Sequence, residues 1–143
     1  MNNTDDPLIV FNEQGRVHVG TVCASRVLKT LNIAEFGNAV LDYVQKHPGL
    51  NLLLNFENVD YLSSAVLTEL LRINECVRRT RGRLRLCAVS PTIREIFEIT
   101  RLDTVFAVHG EELDTDIRRF EKAIELEDEE RKWSVPEPEQ RED

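Results

Sequence analysis

The chain has 143 residues, 41% of them hydrophobic, which is enough for one domain with a buried core. Its charged fraction of 31% and net charge of -8, without any apolar run near the ~18 residues of a spanning helix, argue against a membrane-spanning chain. The polar start Met1-Asn2-Asn3-Thr4-Asp5-Asp6 lacks signal-peptide character, and Cys23, Cys76 and Cys87 form neither a disulfide framework nor a zinc motif, so a reduced cytoplasmic setting is expected.

Taken in chain order, Leu8-Ile9-Val10-Phe11 is a short apolar run followed by the turn-forming Asn12-Glu13-Gln14-Gly15. Residues 16–22 alternate with period two, which predicts a β-hairpin of strands 8–11 and 16–22. A helix is predicted from Asn32, with Asn32 and Glu35 as a capping box and Leu31 and Phe36 as the apolar staple. Phe36, Val40, Tyr43 and Val44 mark its face, and His47-Pro48-Gly49 stops it. Leu52-Leu53-Leu54 has the continuous apolar character of a central strand over 50–56, buried on both faces.

Ser63-Ser64 then opens a helix to about Thr80, with Val66, Leu67, Leu70, Leu71, Ile73 and Val77 as its buried stripe and Gly82 closing it. Residues 83–89 alternate as a strand. Ser90-Pro91 starts the next helix, a capping hydroxyl followed by proline at the first helical position. A last strand over 104–108 and a last helix over about 112–130 complete the order β-β-α-β-α-β-α-β-α. That alternation predicts a single α/β domain over 1–130, a mixed β-sheet with helices packed largely on one face. Residues 131–143 combine acids with Pro136 and Pro138 and read as a disordered, solubilising tail. Docking through Trp133 is the alternative.

Catalytic constellations are thin. His18, His47 and His109 belong to no metal-ligand pattern, and no nucleophile elbow or glycine-rich phosphate loop occurs. No catalytic residue, metal or cofactor is therefore expected. The arginines between Arg72 and Arg101 leave that region at +5, but the acidic chain and the lack of aromatic interleaving argue against direct nucleic-acid binding.

One segment stands apart, Asn55-Phe56-Glu57-Asn58-Val59-Asp60-Tyr61-Leu62-Ser63-Ser64-Ala65-Val66-Leu67. A strand ends, a loop follows, and two serines open an apolar helix. Binding and modification sites in α/β sheets lie beyond the carboxyl ends of the strands. A helix N-terminus also favours an added phosphate.

The stretch resembles the STAS domain of bacterial anti-sigma factor antagonists, in which an aromatic or apolar pair precedes Asp-Ser-(Ser or Thr)-Gly-Leu. Here Tyr61-Leu62 precede Ser63-Ser64-Ala65-Val66-Leu67. Arg81-Gly82-Arg83-Leu84-Arg85-Leu86 resembles the family's Gly-Gly-x-Leu-x-Leu strand. Val89 to Phe97 resembles its x-x-Pro-x-Val-x-x-x-Phe helix, and Arg101-Leu102 to Phe106 its x-Gly-Leu-x-x-x-Phe close. The resemblance spans about residues 8–125.

It implies a binding module without catalysis, which binds an anti-sigma factor that is often itself a serine kinase, and is released by phosphorylation. Ser63 stands at the family's Asp position, Ser64 at the phospho-acceptor position and Val66 at the glycine position. The expected acceptor is Ser64, with Ser63 as the alternative. The expected partner surface is Asp60, Tyr61, Ser63, Ser64 and Ala65. A non-phosphorylated scaffold or sensor of a stressosome-like assembly is the other reading, and self-association stays open.

Overall fold

The structure, a computed structural model, describes residues 8–23, 30–59, 61–109 and 112–133. Strands β1 (Ile9–Gln14) and β2 (Val17–Val22) precede helix α1 (Thr30–Lys46). Strand β3 (Asn51–Asn55), helix α2 (Ser64–Arg79), strand β4 (Arg83–Cys87) and helix α3 (Pro91–Ile99) follow. A 3-10 turn (Leu102–Thr104), strand β5 (Ala107–Val108) and helix α4 (Leu113–Trp133) complete the order. The sheet runs β1-β2-β3-β4-β5, with β1 antiparallel to β2 and every other pair parallel.

The Leu52-Leu53-Leu54 run is the centre of the sheet, as expected. All three side chains are fully buried. Leu52 and Leu54 point into the larger core with Phe36, Val40, Leu70, Ile73, Ile93 and Phe97 from α1, α2 and α3. Leu53 points to the other face, where Val17, Val19 and Cys87 meet Phe120 and Ile124 of α4. Three helices therefore cover one face and α4 the other. Each buried leucine is worth ~1.5–3 kcal/mol of burial, so this strand anchors both layers.

Several boundaries differ from expectation. The hairpin turn is tighter, because Gln14 pairs with Val17 and only Gly15 and Arg16 lie between them. Gly15 has φ +63°, which a two-residue hairpin turn requires of a residue without Cβ. Asn12–Gln14 thus join the strand. Helix α1 begins at Thr30, so Asn32 lies inside it rather than capping it. Ile33 is the first buried residue of α1 among those whose side chains are described. The last strand shrinks to Ala107–Val108. Phe106 N–H bonds back to the Leu102 carbonyl (2.9 Å) and its ring meets Phe97 edge-on, so the chain turns where a longer strand was expected.

Two helices end on arginines in the left-handed conformation. Thr80 caps the end of α2, Arg81 N–H bonds the Arg78 carbonyl, and Gly82 N–H bonds the Val77 carbonyl. This is a Schellman end, with Arg81 at φ +65° where glycine is usual. Gly82 lies one residue beyond. A Cβ there would collide with the Leu50 carbonyl oxygen, so the close approach of backbones demands glycine. Arg101 repeats the left-handed conformation after α3, at φ +64°.

Helix α4 runs three residues past the expected 130, to Trp133. Residues 134–143, and the expectation of disorder for them, lie outside the described residues. Under α4, Arg85 donates to His109 Nε2 (2.8 Å), stands 3.6 Å from the buried carboxylate of Asp116, and lies 5.0 Å above the Phe120 ring.

Candidate functional site at the start of helix α2

The loop from β3 to α2 is shaped by one buried amide and three apolar anchors. Asn55, almost fully buried at the end of β3, donates to Thr21 Oγ1 (3.4 Å) and accepts from Glu57 N–H (3.1 Å). Its side chain thereby turns the backbone out of the sheet. Phe56 N–H bonds the Cys87 carbonyl, and Val59 N–H bonds the Phe56 carbonyl. The side chains of Phe56, Val59 and Leu62 are all buried. A loop pinned at three points presents its remaining residues in a defined way. Tyr61 is 57% exposed.

The two serines have different jobs. Ser63 has extended backbone (φ -97°, ψ 167°) and is the N-cap of α2. Its Oγ accepts from Val66 N–H (3.3 Å), and its carbonyl accepts the first helical bond from Leu67. Ser64 is the first helical residue and is exposed, as is Ala65. Its Oγ has no hydrogen-bond partner among the described residues, while its carbonyl accepts from the Thr68 hydroxyl (3.1 Å). No acidic side chain occupies the first turn. The backbone N–H groups of Ser64 and Ala65 precede the first helical bond, so an anion there meets donors and the positive end of the helix.

The resemblance to the Asp-Ser pattern becomes intelligible at this point. Aspartate and serine are both good N-caps, so Ser63 keeps the capping chemistry of the position without its charge. Val66, at the glycine position, is not a loosened turn. Its side chain is buried in the larger core and its N–H bonds Ser63.

Of the five expected partner-surface residues, Tyr61, Ser64 and Ala65 are exposed and Ser63 is half-buried. Asp60 lies outside the described residues. Asn55, which sets the course of the loop, was absent from the expected site. Its sequence signal is a polar residue closing an otherwise leucine-only run. The expected stripe of α2 is also narrower than the sequence suggests. Val66, Leu70, Ile73 and Val77 are buried, whereas Leu71 is 40% exposed and lines a shallow cleft of about 470 Å³ against Leu41 of α1.

A second titratable cluster sits away from this site, where the hairpin meets α1. Phe11 stacks on Tyr43 at 3.8 Å between ring centres, and Tyr43 stacks on His47 at 4.2 Å. Tyr43 Oη and His18 Nδ1 are 2.7 Å apart, and His18 Nε2 is 3.3 Å from a Glu13 carboxylate oxygen. Burial raises the Tyr43 pKa, with Glu13 adding to the effect, so the phenol keeps its proton and donates. Burial is also the main influence on His18 and, helped by His47 against the pull of Glu13, lowers its pKa. A neutral His18 protonated on Nε2 satisfies both contacts. Among the described residues no group of three or more His, Cys, Asp or Glu side chains is arranged to hold a metal ion.

The architecture is a single mixed α/β sheet with a serine-led helix displayed beyond its central strand. Residues 12–117 match the STAS domain family, most of the chain, and the chain belongs to it. BtrV of Bordetella bronchiseptica, whose name describes it as an anti-sigma factor antagonist, is 30% identical over 86 residues, 60% of this chain and 73% of that protein. An anti-sigma-factor antagonist (STAS) domain protein from Planctomyces limnophilus has the same fold, with a TM-score of 0.66 and 21% identity over 75% of this chain and 93% of that one. So does the Bacillus cell fate determinant SpoIIAA in its phosphorylated form, with a TM-score of 0.59 and 16% identity over 78% and 97%. Among the described residues no helix is long and apolar enough to cross a membrane.

Proposed function

We propose that this protein is an anti-sigma factor antagonist that binds an anti-sigma factor with serine-kinase activity and is switched by phosphorylation of Ser64. In this reading it works in the cytoplasm as a binding module, without catalysis, metal or cofactor. The contact surface comprises Asp60, Tyr61, Ser63, Ser64 and Ala65. The domain spans 1–130 with an acidic extension over 131–143. The observation that carries the reading is the division of labour between the serines. Ser63 is engaged as the cap, and Ser64 presents a free hydroxyl on the first exposed turn.

The energetics of such a switch favour this position. On the free domain a phosphate at the helix N-terminus is favoured by ~0.3–1 kcal/mol, so modification leaves the fold intact. Within a close interface the same charge must be desolvated, which without a compensating partner costs several kcal/mol. A penalty of ~3 kcal/mol already weakens binding more than a hundredfold.

The test begins with protein purified from its own host and the partner it captures there. Phosphate on Ser64, and a Ser64→Asp variant that folds normally but captures less anti-sigma factor, support the reading. Native protein without phosphate at Ser64, together with a Ser64→Asp variant that binds as the wild type does, replaces it with the non-phosphorylated scaffold.

A further inference from the structure

We propose that β1, the long free edge of the sheet, pairs antiparallel with β1 of a second copy of this chain about a two-fold axis at Phe11, joining the two five-stranded sheets into one. The inference stands independently of the Ser64 switch. It begins with where the backbone groups of β1 point. Gln14 and Val17 close a two-residue hairpin, and at its other end Cys23 N–H donates to the Leu8 carbonyl (2.9 Å). In an antiparallel pair, opposed residues exchange both hydrogen bonds only at alternate positions. Leu8, Val10, Asn12 and Gln14 therefore bond across the hairpin, and the N–H and C=O groups of Ile9, Phe11 and Glu13 point away from β2. Among the described residues no strand lies on that side of β1, and no backbone hydrogen bond outside the hairpin reaches those groups.

This edge also lacks the usual guards of an edge strand, which are shortness, lysine, proline or a bulge. Strand β1 is six residues long, Ile9–Gln14 contain no lysine or proline, and their register with β2 is unbroken. The opposite edge, β5, has only two residues. The one charge on β1, Glu13, is turned to its own hairpin, 3.3 Å from His18 Nε2. Apolar side chains are left at the edge on both faces. Val10 is 45% exposed on the α4 face, which it shares with Asn12 and Val19. Phe11 is half-buried on the other face, stacked on Tyr43 of α1.

The register identifies the occupant. Pairing β1 with itself about Phe11 sets Phe11 opposite Phe11 of the second copy and Ile9 opposite its Glu13, in both directions. That makes three bonded pairs and uses every outward group of Ile9, Phe11 and Glu13, whereas an axis at Val10 or Asn12 leaves two such pairs. It also keeps the two Glu13 residues four positions apart along the strands, about 13 Å, against about 7 Å for the axis at Asn12. On one face the two Phe11 rings meet. On the other, Val10 lies opposite Asn12 and diagonal to Val10 of the second copy, so each copy covers the apolar edge of the other. The axis runs perpendicular to the sheet, so the two β3 strands point in opposite directions and the Ser64 ends stay open at opposite ends of the joined sheet. One strand pair is a narrow interface, so association falls in the weak range of about 10–500 μM.

The experiment uses the full chain at about 150 mM salt, which screens the net charge of -8 on each copy. Sedimentation equilibrium over about 10–500 μM should show the mass rising from one chain toward two. Over the same range, amide hydrogen exchange followed by NMR should show Ile9, Phe11 and Glu13 becoming protected while Ser64 and Ala65 do not change. Val10→Lys, which alters one exposed side chain, should raise the dimer Kd at least about tenfold with the circular dichroism of the wild type. Glu13→Pro, which removes an outward N–H, should do the same, and Val10→Lys decides alone if Glu13→Pro does not fold. A mass of one chain throughout, a dimer in which the Ile9, Phe11 and Glu13 amides stay unprotected, or a Val10→Lys variant that dimerises as the wild type does overturns the proposal.

Discussion

Replacing either of two adjacent serines by alanine should have very different consequences, although the two are indistinguishable in composition. Ser63→Ala removes the acceptor for Val66 N–H, one of the donors at the start of α2 that has no helical partner. Loss of a serine cap costs ~1 kcal/mol, within a range of ~0.5–2. Ser64→Ala removes an exposed hydroxyl at the first helical position and installs a better helix former, so stability should hold or rise by a few tenths of a kcal/mol. In urea, with a slope of ~1–3 kcal/mol/M for a domain of this size, Ser63→Ala should lower the midpoint by about 0.3–1 M. Ser64→Ala should leave it in place. Ser63→Asp restores a capping oxygen beside the positive end of the helix and should match the wild type or exceed it slightly. If Ser64→Ala is destabilised as much as Ser63→Ala, the assignment of the cap is wrong, and with it the reason for regarding Ser64 as the available hydroxyl.

Three further perturbations probe the frame around the site. Gly82→Ala should destabilise by about 1–3 kcal/mol in chemical denaturation, because the new methyl group meets the Leu50 carbonyl. Arg101→Gly should stabilise by about 0.5 kcal/mol on the same measure, since relief of a left-handed residue (~1–2 kcal/mol) exceeds the entropy that glycine loses on folding (~0.5–1 kcal/mol). His18 should make folding stability pH-dependent. Its pKa is lowered in the folded state, so the unfolded chain binds more protons as the pH falls below ~6.5, and stability declines from there until the folded-state pKa is passed. His18→Gln, with Glu13, Tyr43 and His47 kept, should flatten that part of the stability–pH curve.

The sheet and the serine-capped helix starts were legible because they rest on strong, repeated signals. A leucine triplet between a proline-glycine stop and a polar loop has few uses other than a central strand, and Leu52–Leu54 occupy it. Ser90-Pro91 marked the start of α3 through a cap and a preset φ, and Ser90 Oγ does accept from Ile93 N–H (3.3 Å). What escaped was decided by tertiary contacts. Helix α1 starts at Thr30, two residues before Asn32, and Ile33 is buried in the core. The shortness of β5 follows from Phe106 turning toward Phe97.

The roles of Ser63 and Ser64 differ by backbone conformation alone, extended at one and helical at the next, which adjacent identical letters do not record. Arg81 and Arg101 give the opposite case. Both adopt the left-handed conformation, at φ +65° and +64°, that glycine takes most easily.

The central claim concerns Ser64 and its partner, and an equilibrium binding measurement reaches it most directly. The partner captured from the native host is titrated with unmodified protein and with protein fully phosphorylated at Ser64, each first shown to have the same circular dichroism and melting curve. A desolvation penalty of ~3 kcal/mol or more predicts a Kd raised more than a hundredfold by the phosphate. Equal dissociation constants for the two forms would contradict the account.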